Sequence, residues 1–422
     1  MKLALNNGKA FIKGKLVKAS ILVEKGVIKK ISAKKIRAER EIDCAGKIIL
    51  PGAIDAHVHF RVPGAEQKED WFSGSLAALH GGVTTVMDMP NNSPATTTVK
   101  LLEEKRALAK AGALVNFDLY MAATGENLGE IAKAPKLRGV KLYFGSTTGN
   151  ILLNSDDKIL ELFRLAEKNG FVVVVHAEDE ETTRENARKY AGNENPEVHA
   201  RIRSAEAEAK AIKKILSLQM KAGNKVHIAH LSSAQGLKLI EKAKKGKHGK
   251  QITCEAAPHH LFLDSADYKK LGNLMKCNPS IKSAKDRKAL WKGLVKGTID
   301  IVATDHAPHT LAEKSLPYSK APAGIPGLET MLPLLLNAVN EKKITLKRVV
   351  NVVAERPAEI FGWKKKGFIR KGFDADLTIA GMNEIFRVEN GHLFTKAGYS
   401  PFTGKRFKGK IGQTIVRGNV YG

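Results

Sequence analysis

The chain has 422 residues, of which 70 are Lys or Arg and 43 are Asp or Glu, so its formal net charge at pH 7 is +27. Hydrophobic residues make up 43% and charged residues 27% of the sequence, a composition that excludes a disordered or collagen-like chain. The length allows one large domain and a smaller one. Three widely separated cysteines and the lack of an apolar run of membrane-spanning length predict a soluble, cytoplasmic protein without disulfides.

The excess of basic residues raises the question of a nucleic-acid ligand, because lysines gain affinity for phosphate backbones by releasing counterions. The lysines are spread along the whole chain, however, and the short clusters at 241–250 and 362–368 are not interleaved with the aromatic residues of a stacking surface. The spacing of a helix-turn-helix, an RRM or a zinc finger is also missing from the sequence. We therefore expect neither a nucleic-acid partner nor a membrane partner, and a nucleic-acid binder is the less favoured alternative.

Taken in chain order, the first fifty residues alternate apolar and polar positions between glycines, and the last sixty return to this pattern. Such alternation predicts short β-strands at both ends. Between them, short apolar runs alternate with amphipathic helical stretches such as 156–170 and 204–223. The runs are nearly continuously apolar, as in parallel strands that are buried on both faces, and they lie at 48–60, 82–90, 113–123, 138–144, 170–178, 224–232, 251–262 and 299–308.

Eight such strands, separated by segments of helical length, predict an α/β fold with a parallel (β/α)8 TIM barrel. A doubly wound sheet is the competing arrangement. Polar residues at the C-terminal end of nearly every strand favour the barrel, which gathers those ends at one mouth. The terminal strands then predict a small β domain formed by residues 1–50 and 366–422, beside a hydrolase barrel of residues 51–365.

Histidines at the strand ends suggest a metal site. His57 and His59 project the same way if the first strand persists, because side chains two residues apart share a face of a strand. Other strand ends supply His176, His230 and Asp305, and such nitrogen and oxygen ligands could hold two zinc-like ions with open positions for water.

Two further residues near these strand ends are harder to interpret. His227 lies three residues before His230, so we expect it to point to the other face of its strand as a packed histidine. Lys141, on the fourth strand, would repel metal ions in its ordinary charged form. From the sequence alone it is an ordinary strand-end lysine, unless it is neutralised or modified.

An ordered series of motifs resembles the dihydroorotases of the amidohydrolase superfamily: PGAIDAHVHFRVPG, KEDWFSGSLAALHGGVTTVMDMPNNSP, HAE, HLS, TCEAAPHHLFL, CNPSIK and TDHAPH. The resemblance runs from about Gly46 to Gly362, and GFIRKGFDADLTIAG resembles part of the superfamily's small β domain. It implies a zinc-dependent hydrolase of cyclic amides. The implied reaction is the reversible cyclisation of N-carbamoyl-L-aspartate to L-dihydroorotate and water, in de novo pyrimidine biosynthesis.

The resemblance also assigns roles to the strand-end residues. It implies two Zn²⁺ ions per subunit, with Asp305 both a ligand and the general base. It implies that Lys141 reacts with carbon dioxide and that the resulting carbamate bridges both metals. The ligands implied for the two zinc ions are His57, His59, Lys141, His176, His230 and Asp305.

The resemblance implies that dihydroorotate is held by Arg61, Asn91, Asn278 and His309. An arginine offers a fork of donors to a planar carboxylate, a contact that lysine cannot reproduce. Several neighbouring residues are expected to be structural or to pack behind the site, namely His259, His260 and His306. Thr147 and Thr148 form either a loop lid over the substrate or an ordinary turn.

Other functions in the same superfamily stay open. A hydantoinase or allantoinase would share the fold and metal set, but its substrates lack the carboxylate that Arg61 and Asn91 are expected to bind. A non-catalytic homologue could serve as a scaffold for partner enzymes, although such relatives lose metal ligands. Homo-oligomerisation or docking with aspartate carbamoyltransferase is a further expectation from the family.

Overall fold

The structure is a computed structural model that describes residues 2–146 and 151–422. Thr147 and Thr148 lie outside the described residues. The strands in chain order are β1 (Lys2–Ile12), β2 (Lys15–Glu24), β3 (Val27–Ser32), β4 (Arg40–Asp43), β5 (Ile48–Pro51), β6 (Ala53–Val58), β7 (Val83–Asp88), β8 (Asn116–Leu119), β9 (Met121–Ala122), β10 (Gly139–Tyr143), β11 (Val172–His176), β12 (Val226–Ile228), β13 (Ile252–Ala256), β14 (Ile301–Val302), β15 (Leu377–Arg387), β16 (Arg406–Val416) and β17 (Asn419–Tyr421).

Helices follow most of the strands in the middle of the chain. A π-helical turn, Asn351–Glu355, joins the last two helices. The α-helices are α1 (Trp71–His80), α2 (Val99–Gly112), α3 (Leu128–Lys133), α4 (Asp156–Asn169), α5 (Glu180–Lys189), α6 (His199–Ile202), α7 (Ala205–Ala222), α8 (Ala234–Ala243), α9 (Pro258–Phe262), α10 (Tyr268–Leu271), α11 (Ala284–Lys296), α12 (Leu311–Lys314), α13 (Leu328–Asn340), α14 (Leu346–Val350) and α15 (Arg356–Ile360).

Strands β6 to β14 form a parallel barrel. β6, β7 and β8 pair in one sheet and β9 to β14 in another, and β8 and β9 are separated in the chain only by Tyr120. The circle closes where the His59 N–H donates to the His306 carbonyl oxygen over 2.8 Å and Val58 forms a parallel bridge to His306. The predicted TIM-barrel fold is confirmed, and all carboxyl ends of its strands meet at one mouth.

The two ends of the chain build a separate eight-stranded sheet. Its order is β17-β16-β15-β5-β1-β2-β3, and β4 pairs with β1. β5 lies between the two chain ends, parallel to β1 and antiparallel to β15. The terminal segments therefore share one sheet, as expected, while the predicted domain boundaries stay a prediction.

Three of the apolar runs differ from the predicted single strands. The run 113–123 is interrupted at Tyr120 between β8 and β9. The run 48–60 divides at Gly52 into β5 of the terminal sheet and β6 of the barrel. A Cβ atom at Gly52 would lie 2.3 Å from the Thr84 side chain, so this close approach requires glycine. The run 251–262 leaves the strand after Ala256 and continues as α9, which begins at Pro258, a residue favoured in the first turn of a helix.

The predicted amphipathic stretches form α4 and α7. In α4 the buried residues Ile159, Leu162, Phe163 and Ala166 recur every three or four positions, so they form one stripe against the barrel core. The helix ends at Gly170, whose φ of +78° is costly for residues with a Cβ atom. Within 2–146 and 151–422, no helix combines the length and apolar character needed to cross a bilayer.

A buried ion pair fastens α2 to β7 near the barrel mouth. Lys105 Nζ lies 2.5 Å from Asp88 Oδ2, and both side chains are at most 1% exposed. The same ammonium donates to the Met89 carbonyl oxygen over 2.7 Å and to Asn92 Oδ1 over 2.6 Å. Asp88 Oδ1 accepts from the Phe60 N–H over 2.6 Å. The pair thus links the ends of the first two barrel strands.

Replacing Lys105 should destabilise the fold strongly. In Lys105→Met the Asp88 carboxylate stays buried without its cation, so the free energy of unfolding should fall by about 3–5 kcal/mol. Urea denaturation measures this change. Lys100→Met, on the same helix, is the control, because Lys100 meets Glu104 over 3.9 Å at the surface and its loss should change stability by at most about 0.5 kcal/mol. Equal losses in the two variants would contradict the role given to the pair.

Candidate active site

The barrel mouth contains a small, partly open cavity among the predicted site residues. His309 stands beside this lining, with its Nε2 atom 3.2 Å from Arg61 Nη2. The structure therefore brings every predicted site residue into one place. The cavity is lined by His57, His59, Arg61, Asn91, Lys141, Tyr143, His176, His230, Asn278, Asp305, Ala307, Ala323 and Gly324.

The first cluster of possible metal ligands joins the first and last barrel strands. Asp305 Oδ1 lies 3.2 Å from His57 Nε2 and 3.1 Å from His59 Nε2. Burial by itself raises the pKa of Asp305, but His57 and His59 bring it below its ordinary value, so the carboxylate is ionised. Burial lowers the pKa of His59 to about 4. A neutral imidazole beside a carboxylate is a suitable ligand set for a divalent ion.

The second cluster contains His176 and His230, at the ends of β11 and β12. His176 Nδ1 lies 2.9 Å from His230 Nε2. His176 Nε2 donates to Glu178 Oε2 over 3.0 Å, so its Nδ1 atom keeps a lone pair that faces His230. Burial lowers the pKa of both histidines, and both are therefore neutral ligands at physiological pH.

Lys141 lies in β10 and is 1% exposed. Among the residues that the structure describes, its Nζ atom has no hydrogen-bond partner. Burial lowers its pKa to about 8, because an ammonium group without partners is costly in a protein interior. The unpaired amine of Lys141 lines the same cavity as the imidazoles and Asp305. Such a site suits cations if the amine is converted into an anion.

Glu255 was not predicted as part of the site, yet it contacts three histidines. Its Oε1 atom lies 2.5 Å from His57 Nδ1 and accepts from the His230 N–H over 3.1 Å, while Oε2 lies 3.0 Å from His227 Nε2. Such a contact fixes the orientation of a ligating imidazole. The only sequence signal for it is an acidic residue inside an otherwise apolar strand, TCEAA.

Glu178 is a second residue that sequence reasoning missed. It accepts from His176 Nε2 and forms an ion pair with Arg203, and its side chain is 1% exposed. Burial by itself raises its pKa, but Arg203 and His176 hold that pKa well below the ordinary range. The available signal was its place two residues after a strand-end histidine, in HAE.

His227 is packed, as expected, but not on the expected face. It is fully buried, and its Nδ1 atom lies 2.8 Å from Thr253 Oγ1. Through Glu255 it is connected to His57 inside the barrel. The expected direction was wrong because the strand ends at Ile228 and His230 has a φ of +33°, so strand alternation does not extend to His230.

Two of the histidines set aside in the sequence, His306 and His260, have structural hydrogen bonds, whereas the buried His259 Nε2 has no hydrogen-bond partner among the described residues. His306 Nε2 lies 3.2 Å from Glu69 Oε2, and its Nδ1 atom accepts from the Gly327 N–H over 3.2 Å. His260 donates to the Pro279 carbonyl oxygen over 3.1 Å. None of His259, His260 and His306 is among the cavity-lining residues.

The cavity lining also contains a buried cation, Arg61, which is 7% exposed. Its Nε atom donates to the Pro308 carbonyl oxygen over 3.3 Å. Within the described part of the chain, no carboxylate forms an ion pair with Arg61. His309 is neutral, since burial and Arg61 lower its pKa, and Lys68 Nζ lies 3.3 Å from its Nδ1 atom. The surroundings of Arg61 are suited to an anion.

Two asparagines also line the cavity. His59 Nδ1 donates to Asn91 Oδ1 over 2.7 Å, which directs the Nε2 lone pair of His59 towards Asp305. Asn278 Oδ1 accepts from His199 Nε2 over 3.1 Å. Asn91 therefore contacts a candidate metal ligand, in addition to the role expected for it at the substrate.

Comparison with known proteins identifies the family. Residues 48–421 match the model of the Amidohydrolase family, and the chain belongs to that family. Enzymes of the family are generally metal-dependent. The prediction that this chain is an enzyme, a hydrolase of cyclic amides, is confirmed by the family and by its similar proteins.

Two archaeal relatives are named dihydroorotase. The protein from Methanosarcina acetivorans is 36% identical over 411 residues, 95% of this chain and 88% of its own. The protein from Pyrococcus furiosus is 37% identical over 414 residues, covering 98% of this chain and 91% of its own. Among solved structures, the L-hydantoinase (dihydropyrimidinase) from Arthrobacter aurescens has a TM-score of 0.94 and 32% identity, over 99% of this chain and 95% of its own.

The histidine clusters predict a measurable loss of bound metal on substitution. His230→Gln removes one nitrogen ligand, so the ratio of divalent transition metal to protein should fall below that of the unmodified chain after dialysis. Inductively coupled plasma mass spectrometry measures the ratio. His392→Gln is the control, because His392 is 77% exposed and far along the chain from the cavity. An unchanged ratio in His230→Gln would exclude His230 as a ligand.

Proposed function

We propose that the chain is a zinc-dependent dihydroorotase, which reversibly cyclises N-carbamoyl-L-aspartate to L-dihydroorotate and water in de novo pyrimidine biosynthesis. One observation carries the proposal: a single cavity is lined by metal-type ligands and by a buried guanidinium that pairs with no carboxylate among the described residues. Dihydroorotate combines a cyclic amide with a carboxylate, so it matches both features. Cytoplasmic location and association with other subunits or with aspartate carbamoyltransferase belong to the same proposal.

The donor set fits two zinc ions. In this proposal one ion is held by His57, His59 and Asp305, the other by His176 and His230. Lys141 would bridge them as a carbamate: its neutral amine attacks carbon dioxide, and the nitrogen then loses a proton. The ions supply Lewis-acid chemistry, since they polarise an amide carbonyl and lower the pKa of water.

The chain's own residues orient the substrate. The guanidinium of Arg61 can bind the carboxylate of dihydroorotate through two parallel hydrogen bonds. The amides of Asn91 and Asn278 add donors around the ring, and neutral His309 lies next to Arg61 with its Nε2–H directed to the Ala323 carbonyl oxygen. These contacts fix the amide carbonyl towards the metal-type ligands, which lowers the entropic cost of reaction.

Asp305 transfers the proton. In ring opening its ionised carboxylate accepts a proton from the attacking water and returns that proton to the leaving ring nitrogen. The C–N bond breaks as the new C–O bond forms, and the second proton of the water is released from the new carboxylic acid. Cyclisation is the reverse, so it consumes one proton and is favoured at lower pH.

A cyclic amidase of the hydantoinase type is the second candidate. The likeness to the Arthrobacter aurescens L-hydantoinase, with a TM-score of 0.94 and 32% identity, supports it. Such an enzyme has no need of a buried arginine for a substrate carboxylate. Arg61 therefore distinguishes the two candidates.

Substitution of Arg61 should impair one substrate selectively. In Arg61→Ala, kcat/KM for L-dihydroorotate should fall by roughly 10²–10³-fold, because a charge-assisted bidentate contact is lost. Any turnover of hydantoin, which lacks the carboxylate, should change by less than about threefold. Steady-state assays of Arg61→Ala and of the surface variant Arg106→Ala measure both. The proposal would be overturned if Arg61→Ala turned over dihydroorotate as fast as the unmodified chain. It would also be overturned if the unmodified chain did not turn over dihydroorotate.

The proposed modification of Lys141 should depend on pH. Only the neutral amine attacks carbon dioxide, and its fraction rises through a pKa of about 8. At a fixed concentration of dissolved ¹³CO₂, the carbamate signal of the metal-free chain in ¹³C NMR should therefore grow from pH 7 to pH 9. Lys141→Met should lack this signal, and its persistence there would assign the carbamate to another lysine.

A further inference from the structure

Two buried lysines next to the cavity are unused by the proposed chemistry. Lys314, the last residue of α12, is 2% exposed, and Lys276 is 9% exposed. In the described part of the chain neither forms an ion pair with a carboxylate; each ammonium donates to backbone carbonyl oxygens instead. The nearby Glu313 pairs with Lys68 over 2.7 Å.

The carbonyl oxygens around the two ammonium groups belong mainly to one segment, residues 318–324. We call this arrangement the carbonyl cage. Lys276 Nζ donates to the carbonyl oxygens of Tyr318 and Ala321, both over 2.6 Å. Lys314 Nζ donates to those of Lys276, Pro322 and Gly324, over 3.1, 3.0 and 3.0 Å.

The caged segment forms part of the cavity wall. Ala323 and Gly324 line the cavity, and the Ala323 carbonyl oxygen accepts from His309 Nε2 over 3.1 Å. The Gly324 N–H donates over 2.9 Å to the Lys276 carbonyl oxygen that also accepts from Lys314. A Cβ atom at Gly324 would lie 2.2 Å from the Ala307 carbonyl oxygen, so the segment packs tightly against the loop that follows β14.

A charge in this position is costly. Burial lowers the pKa of Lys314 to about 7, and three hydrogen bonds to carbonyl dipoles have to compensate for its lost hydration. A methionine would fill the same space without that cost. Unlike methionine, Lys314 binds three backbone carbonyl oxygens and thereby holds their segment in place.

We propose that Lys314 is a positioning residue for the carboxylate end of the substrate. It holds Pro322 and Gly324, and thereby the Ala323 carbonyl oxygen that orients His309 beside Arg61. Among the described residues, no carboxylate forms an ion pair with Lys314 or with Arg61. This inference rests on the proposed function, since it assumes a substrate with a carboxylate.

The first test follows the segment itself and needs no enzyme activity. In Lys314→Met, hydrogen–deuterium exchange of peptides that span 316–326 should accelerate by at least about tenfold. The control is Lys244→Met, which removes a partly buried ammonium that donates to the Thr298 carbonyl oxygen and to Asp300 at the other end of the barrel. Lys244→Met should leave exchange in 316–326 unchanged. Unchanged exchange in Lys314→Met would overturn the proposal.

The second test separates positioning from general damage. With L-dihydroorotate, Lys314→Met should raise KM by at least about tenfold and change kcat by less than about threefold, whereas Lys244→Met should change neither. A loss confined to kcat would overturn the proposal. If Lys314→Met does not fold, Lys276→Met replaces it, with the same expectations. If the unmodified chain does not turn over dihydroorotate, the proposed function is wrong. The exchange experiment would still decide whether Lys314 holds the segment.

Discussion

Glu255, on β13, places one ionised carboxylate against side chains of two other barrel strands, β6 and β12. Its oxygens lie 2.5 Å from His57 Nδ1 and 3.0 Å from His227 Nε2, and they also accept from the His230 N–H. Burial by itself would raise its pKa, but His57 and His227 hold that pKa well below the ordinary value. Because this carboxylate accepts a hydrogen bond from the His57 Nδ1–H, the Nε2 lone pair of His57 faces Asp305. Ligand orientation at the mouth thus depends on a charge buried beneath it.

Three residues of the candidate site leave the regular strand geometry. Arg61, His230 and Asp305 have φ angles of +64°, +33° and +49°, a region in which side chains with a Cβ atom are strained. Each lies just after a barrel strand, where the backbone turns and re-aims the side chain. Strand alternation therefore predicts the direction of His57 and fails for His227. Contacts with the rest of the fold compensate for such backbone strain. A local sequence pattern therefore does not reveal which residues have these φ angles.

Periodicity and motif order predicted the barrel, because buried parallel strands are recognisable as short apolar runs between amphipathic helices. They did not show that residues 48–60 contribute one strand to each of two sheets. That run divides at Gly52, where the backbone approaches Thr84 closely. Glu255 and Glu178 escaped prediction for a related reason. A buried acid is identified by its partners. Those of Glu255 lie on other strands, and Glu178 pairs with Arg203 from a later segment, so neither pairing is visible in the local sequence. The family resemblance predicted the candidate metal ligands, but it did not predict Glu255 and Glu178, which orient them.

The charge of +27 includes two different kinds of lysine. Most lysines are exposed, whereas Lys141, Lys276 and Lys314 are buried around the cavity. The histidines of the cavity surround Asp305, and Glu255 and Glu178 contact the imidazoles from behind, whereas no carboxylate among the described residues pairs with Arg61. Under the proposed function the substrate carbamoyl aspartate has two carboxylates. Arg61 offers positive charge to one of them, and the acidic groups around the histidines would repel the other unless cations were bound there.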